Sequence, residues 1–301
     1  MSTLAHPGVI AYRRLASPLH AVRAPVAAAY GAALATGALI VDNPLLLGAL
    51  GLSVLAAGAS AGVGRELMRA ARRTIVPMLL LTVLVNVLVS RGGITVFARL
   101  GHWGVLGEVN LTLEAVIYGL VLGLRLFVVS MACLLVVCTA NPDELLYALR
   151  RISPRSALTA TLTTRLIPVL GEDARRLAEA QRCRPDGGAS GARGSLAVLR
   201  ATVSGALERS LDVAAVLEMR GYGNARSGRR SRAPRSRHDL AFAASAAGVL
   251  GLSIFAALSP AGAFTAYPLV SMAMTGGTIM LALALPLVAL APFADRRGIE
   301  P

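Results

Sequence analysis

Two short stretches carry the residues with the clearest chemistry in this chain: Ala180-Gln181-Arg182-Cys183-Arg184 and Leu217-Glu218-Met219-Arg220-Gly221-Tyr222-Gly223. Each places an arginine, Arg184 or Arg220, at the C-terminal end of an amphipathic, helix-patterned segment, directly before a residue that stops helices. A guanidinium is planar, always charged, and offers paired donors that fit a carboxylate bidentately. Two matched tips therefore suit a pair of plugs for carboxylate-lined grooves on a partner. Against this, cations favour helix C-termini in any case, by a few tenths to about 1 kcal/mol each. For either tip alone that would suffice.

Little else in the chain could react. The phosphate-cradling pattern Gly-x-x-x-x-Gly-Lys-Ser/Thr does not occur, and every one of the 30 basic residues is arginine. No nucleophile–base constellation or carboxylate cluster marks the apolar runs, so catalysis is not expected. Cys133, Cys138 and Cys183 share no metal-ligand spacing with His6, His20, His102 or His238, and no metal or cofactor is expected. The net charge of +14 raises the question of nucleic acid, but no binding motif accompanies it, and aromatics, at 4%, are too few for base stacking. Arginine retained in cytoplasmic loops of a membrane protein accounts for the charge better.

The elements that must hold the tips are membrane helices. Of 301 residues, 55% are hydrophobic and 15% charged, where a soluble protein has about 25% charged. The deficit lies in runs close to the ~20 residues that cross a bilayer. The expected fold class is all-α: a polytopic membrane protein of about six spans, near 24–41, 45–62, 75–90, 115–140, 240–258 and 267–292. Five spans with a re-entrant hairpin is the alternative. No short apolar core followed by a small-residue cleavage site precedes the first run, which therefore reads as a true span. Asp42-Asn43-Pro44 turns the chain between the first two spans, and Pro77 is tolerable near the start of the third. Residues 91–114 read as an outer loop or interfacial segment. Gly276-Gly277 and Pro286 are expected to kink the sixth span. Arg125 would cost about 2.5–3.5 kcal/mol at the centre of the fourth span, so it is expected to face a protein partner or snorkel, with a transport pathway as the alternative. Glycine pairs at four-residue spacing, Gly58 with Gly62 and Gly119 with Gly123, would allow close helix packing, though 30 glycines make chance matches common.

The blocks are then 1–140, a membrane block of four spans; 141–239, polar and helical; and 240–301, a membrane block of two. Arginine counting places both termini and the 141–239 block in the cytoplasm. Within that block Asn141-Pro142-Asp143-Glu144 starts a helix, with a cap, a proline and two acids in their favoured places. Ser153-Pro154 starts another, striped by Leu158, Leu162, Leu166 and Ile167 and expected to bend at Pro168 and Gly171. Pro185 and a glycine-rich linker follow. A last helix over 195–220 keeps Leu196, Leu199, Val203, Leu207, Ala214 and Leu217 on one face and ends at Gly221 and Gly223. At about 1.5 Å per residue it would be near 40 Å long, a lever lying along the membrane. The run Arg226, Arg229, Arg230, Arg232, Arg235, Arg237 suits anionic lipid headgroups.

Taken together, Leu113-Glu114-Ala115-Val116-Ile117-Tyr118-Gly119, Asn141-Pro142-Asp143-Glu144-Leu145-Leu146, Arg165-Leu166-Ile167-Pro168 and the two arginine tips resemble the transmembrane T component of energy-coupling factor transporters, vitamin- and metal-importing relatives of ABC transporters. The resemblance covers most of the chain and is strongest over 111–223. In that family two Ala-Arg-Gly-like signatures end the coupling helices, and their arginines enter grooves of paired ATPases. The resemblance thus implies ATPase docking by Arg184 and Arg220, within the segments that hold Gln181, Arg182, Glu218, Gly221 and Tyr222. Cys183 and Met219 stand where the family has alanine and Pro185 where it has glycine, which puts the fit of the first tip in question. It further implies a non-catalytic subunit of the bacterial plasma membrane, working with two ABC ATPase subunits and a substrate-binding S-component membrane protein. Nucleic acid is not among the expected partners. The alternatives are a self-contained secondary carrier, which would need midplane ionisable groups and repeated broken helices, and a scaffold, which leaves the matched tips unexplained.

Overall fold

The computed structural model describes residues 15, 17–89, 96–103, 107–149, 154–183, 191–221, 236–265, 271–272 and 274–294. The chain divides into two compact units, Met1–Leu145 with Arg235–Pro301, and Leu146–Pro234.

The first unit begins with a single helical turn, α1 (Pro18–Ala21), capped by Ser17. Two apolar helices follow, α2 (Ala24–Ile40) and α3 (Pro44–Ser60), the second capped by Asn43, whose side chain accepts the Leu45 N–H at 3.0 Å. Further along come α4 (Gly64–Ala70), α5 (Val76–Val89), α6 (Leu113–Thr139), the first residues of α7 (Pro142–Leu149), α10 (Arg237–Leu258) and α11 (Gly276–Leu290). Four runs, Gly64–Leu88, Leu113–Thr139, Arg237–Leu258 and Gly276–Phe293, are long and apolar enough to cross a membrane; α2 and α3 are shorter apolar helices. The fold is that of an all-α polytopic membrane protein.

Lipid tails are as apolar as leucine, so these helices associate through close packing and polar bridges rather than by escaping water. α2 lies against α6 and α10, α3 against α6 and α11, α5 against α6, and α10 against α11. Small residues make the contacts close. Gly119 backs onto Val83 and Asn86 of α5, and Gly123 onto Leu79, so this glycine pair does pack two helices. The Gly58–Gly62 pair behaves differently. Gly58 faces Leu67, while Gly62 takes φ +80° to end α3, with Val63 N–H returning to the Gly58 carbonyl at 3.0 Å. At the heart of the unit Tyr30, Phe242 and Phe293 meet edge to face, with centroids 5.1–6.3 Å apart, and the Tyr30 hydroxyl donates to the Ala289 carbonyl at 2.9 Å.

Several local expectations need correction. The third span is not a helix starting near 75: α4 runs through a π turn, Ala71–Ile75, directly into α5. Pro77 therefore sits inside a continuous helix. It has no N–H for the Arg73 carbonyl, and the widened turn just before it absorbs that missing bond. Within residues 91–114, read as an outer loop or interfacial segment, the structure adds an antiparallel pair, β1 (Val96–Trp103) with β2 (Gly107–Thr112), in which Val96 opposes Thr112 and Trp103 opposes Gly107. The last helix opens at Gly276-Gly277 rather than kinking there, because a short strand pair, β3 (Phe264–Thr265) with β4 (Ser271–Met272), occupies the chain before it.

Arg125 finds partners within the chain. From α6 its Nη2 donates to the Val41 carbonyl at 2.9 Å and to Asp42 Oδ1 at 2.6 Å. Val41 is the C-cap of α2, where carbonyls lack intrahelical partners. The guanidinium thus closes a helix end and fixes the α2–α3 turn against α6. Arg125→Ala is expected to destabilise the detergent-solubilised protein by about 1–3 kcal/mol, read as a lowered melting temperature. Asp42→Asn should cost much less, because Asp42 is 65% exposed and the amide oxygen still accepts. Equal melting of Arg125→Ala and wild type would show the bridge to be idle.

Candidate docking surface

The second unit holds two long helices, α8 (Pro154–Arg182) and α9 (Ala192–Met219). α8 runs on without a break through Pro168, where the sequence predicts a bend. Proline removes one backbone bond, and this one lies at an exposed position, where water can serve the freed carbonyl. Along α8 the half-buried residues Leu158, Leu162, Leu166, Leu170, Ala174 and Ala178 recur at helical spacing, and α9 packs against this helix. On α9 the half-buried row is Val198, Thr202, Ala206, Arg209, Val213 and Leu217. Arg209 Nη1 reaches Asp173 Oδ2 at 3.0 Å and ties the two helices together. At 1.5 Å per residue this bridge lies about 15 Å from the C-terminal end of either helix, measured along its own axis. Both groups remain partly exposed, so the bridge sets alignment more than stability.

The row on α9 that packs is not the leucine-rich face expected from sequence. Leu196, Leu199, Val203, Leu207 and Leu211 are each at least half exposed, and Leu217 alone of the expected face is half-buried. A mixed row of valine, small and polar residues with Leu217 is half-buried, while the other leucines of this helix stand exposed. A contiguous apolar strip of this kind marks a surface covered by protein or lipid. Sequence reasoning found the strip but not which row the partner helix takes. The signal it passed over was Arg209, a cation among small residues at the same spacing as Thr202 and Ala206, with Asp173 as its complement.

The tips stand as follows. α8 ends at Arg182, with the Cys183 N–H returning to the Glu179 carbonyl at 3.1 Å; Gln181 is half-buried and Arg182 exposed. α9 ends on Arg220 as C-cap, its N–H bonded to the Val216 carbonyl at 3.1 Å. Gly221 then takes φ +71°, a left-handed conformation that suits glycine and turns the chain out of the helix. Glu218, Met219 and Arg220 are exposed around that turn. Arg184 and Tyr222 lie outside the described residues. The anionic-lipid run, 226–235, also lies outside them, apart from Arg237 at the start of α10. Among the described residues no group of three or more His, Cys, Asp or Glu comes together as a metal site.

The family described as Cobalt transport protein (CbiQ) matches residues 16–230, well over half of the chain. A search of curated proteins returned no match.

Proposed function

This chain belongs to the CbiQ family of cobalt transport proteins, and on that premise we propose that it is the transmembrane coupling subunit of an importer of the energy-coupling factor type. Two ATPase subunits bind and hydrolyse ATP. The unit Leu146–Pro234 takes up their motion, and the apolar helices pass it to a separate substrate-binding membrane subunit. The cargo class is a metal ion, cobalt by the family's description, or a vitamin. The subunit itself catalyses nothing.

One observation carries this reading: two long helices, bridged by Arg209 and Asp173, form a unit of their own and end in arginine-bearing tips, with an uncovered leucine strip along α9. Arg184 and Arg220 are the docking cations, with Gln181, Arg182, Glu218, Gly221 and Tyr222 shaping their surroundings. The strip suits the apolar substrate-binding partner. Arginine distribution supports a bacterial inner-membrane protein with both termini and this unit on the cytoplasmic side. The alternative of a self-contained carrier drew on Arg125, and that guanidinium is committed to Val41 and Asp42.

The direct test is affinity purification of the tagged full chain from its native membranes. Two ATPase polypeptides and a second small membrane protein are expected in stoichiometric amounts. Purification with no ATPase attached would refute the proposal.

A further inference from the structure

The chain leaves the membrane unit within α7 and returns to it just before α10. Each crossing carries a carboxylate in the first turn of its helix, Glu144 in α7 and Asp239 in α10. Both reach the same place. Glu144 Oε2 accepts the Ala24 N–H at 3.1 Å, and Asp239 Oδ1 accepts the Arg23 N–H, also at 3.1 Å. Arg23 is the N-cap of α2 and Ala24 its first residue.

The start of α2 needs such help. The first amides of a helix have no internal partner. Here the N-cap side chain makes no cap bond, and proline follows Ala24. The two amides ahead of that proline are instead served by acids from two distant segments, where the helix dipole also favours negative charge. Asp239 does more. It is buried, its Oδ2 accepts the Ser236 N–H at 3.1 Å to close the α10 capping box, and it pairs with Arg23 Nε at 3.3 Å. α2 in turn packs on α6 and α10 and bonds through Tyr30 to the end of α11.

We propose that Glu144 and Asp239 are positioning residues for energy coupling: they fasten the departing and the returning crossing to the first turn of α2, so that displacement of the second unit enters the membrane helices through α2. This rests on the coupling function proposed above. A helix end gripped from both crossings can follow them as one body, whereas a free end would let α7 swing without moving the bundle.

Glu144 is exposed, so its replacement leaves the core intact. In purified full-length protein, Glu144→Ala is expected to speed hydrogen exchange at the Ala24 amide. In the reconstituted complex the ATPases should stay bound and hydrolyse ATP, while substrate taken up per ATP falls about tenfold. Glu144→Gln, whose amide oxygen still accepts the Ala24 N–H, should restore most of that uptake. Faster exchange at Ala24 with unchanged uptake per ATP would overturn the inference, and so would loss of the ATPases from the Glu144→Ala complex, which would make the residue a docking or folding element. A wild-type chain that binds no ATPase sinks the functional proposal and this inference together. A wild type and a Glu144→Ala variant that couple equally well sink only this one.

Discussion

Replacing Arg184 and Arg220 together with glutamate is expected to strip the ATPases from the purified chain and to abolish uptake. A guanidinium seated against carboxylates in a groove is desolvated, and truncating one partner of such a pair costs on the order of 2–5 kcal/mol, or about thirty-fold and upward in affinity. Charge reversal adds repulsion to that loss. Neither single change should match the double, because the remaining tip still holds one ATPase. Arg→Lys at either position should weaken binding without eliminating it, since an ammonium keeps the charge but not the bidentate fork. The fold should not suffer: Arg220 is exposed, and it caps α9 through its backbone, not its side chain. Pull-down and melting temperature, measured on the same preparations, separate docking from folding. A double variant that retains both ATPases and full uptake would remove the basis of the functional proposal.

The largest effect on stability is expected at Phe242. Its side chain is fully buried, and its ring meets Tyr30 at 5.4 Å and Phe293 at 5.1 Å, both edge to face. Truncating a buried phenylalanine to alanine costs about 3–5 kcal/mol, part of it the cavity left behind and about 0.5–1.5 kcal/mol the geometry of each aromatic pair. In a membrane the transfer share shrinks, because lipid and protein interior are equally apolar, so Phe242→Ala should fall near the lower end. Phe255→Ala on the same helix removes the same atoms from a side chain that is 61% exposed and should leave the melting temperature nearly unchanged. Equal losses at the two positions would mean that the aromatic trio is not what joins α2 to α10.

Much of the architecture was legible because a bilayer leaves few options. Backbone groups in lipid must be satisfied within their own helix, so long apolar runs become helices, and α2, α3, α6 and α10 lie within a few residues of the runs that announce them. Helix ends with special chemistry were legible too. Asn141 accepts the Asp143 N–H at 3.0 Å to start α7, and Gly221 leaves α9 with positive φ. The structural setting of the prolines was harder to read. Pro168 lies inside an unbroken α8, and Pro77 is absorbed by a π turn that no residue pattern announced.

What the residues could not say is which face meets which. α2 and α3 are apolar all round, so no stripe points to a neighbour, and the choice falls to shape: Gly31 admits the Val136 side chain and Gly37 faces Ser253. The same holds on α9, where the half-buried row runs through Val198, Thr202, Ala206, Arg209, Val213 and Leu217 and leaves Leu196, Leu199, Leu207 and Leu211 exposed. By itself the sequence determined a set of apolar helices and a polar, helical stretch between them in the chain, because hydropathy and caps act over a few residues. Only the tertiary structure decided that Arg125 closes the end of α2 and that Glu144 and Asp239 meet at its start, because ion pairs and orphan amides find one another across long stretches of chain, from the 84 residues between Val41 and Arg125 to the 216 between Arg23 and Asp239.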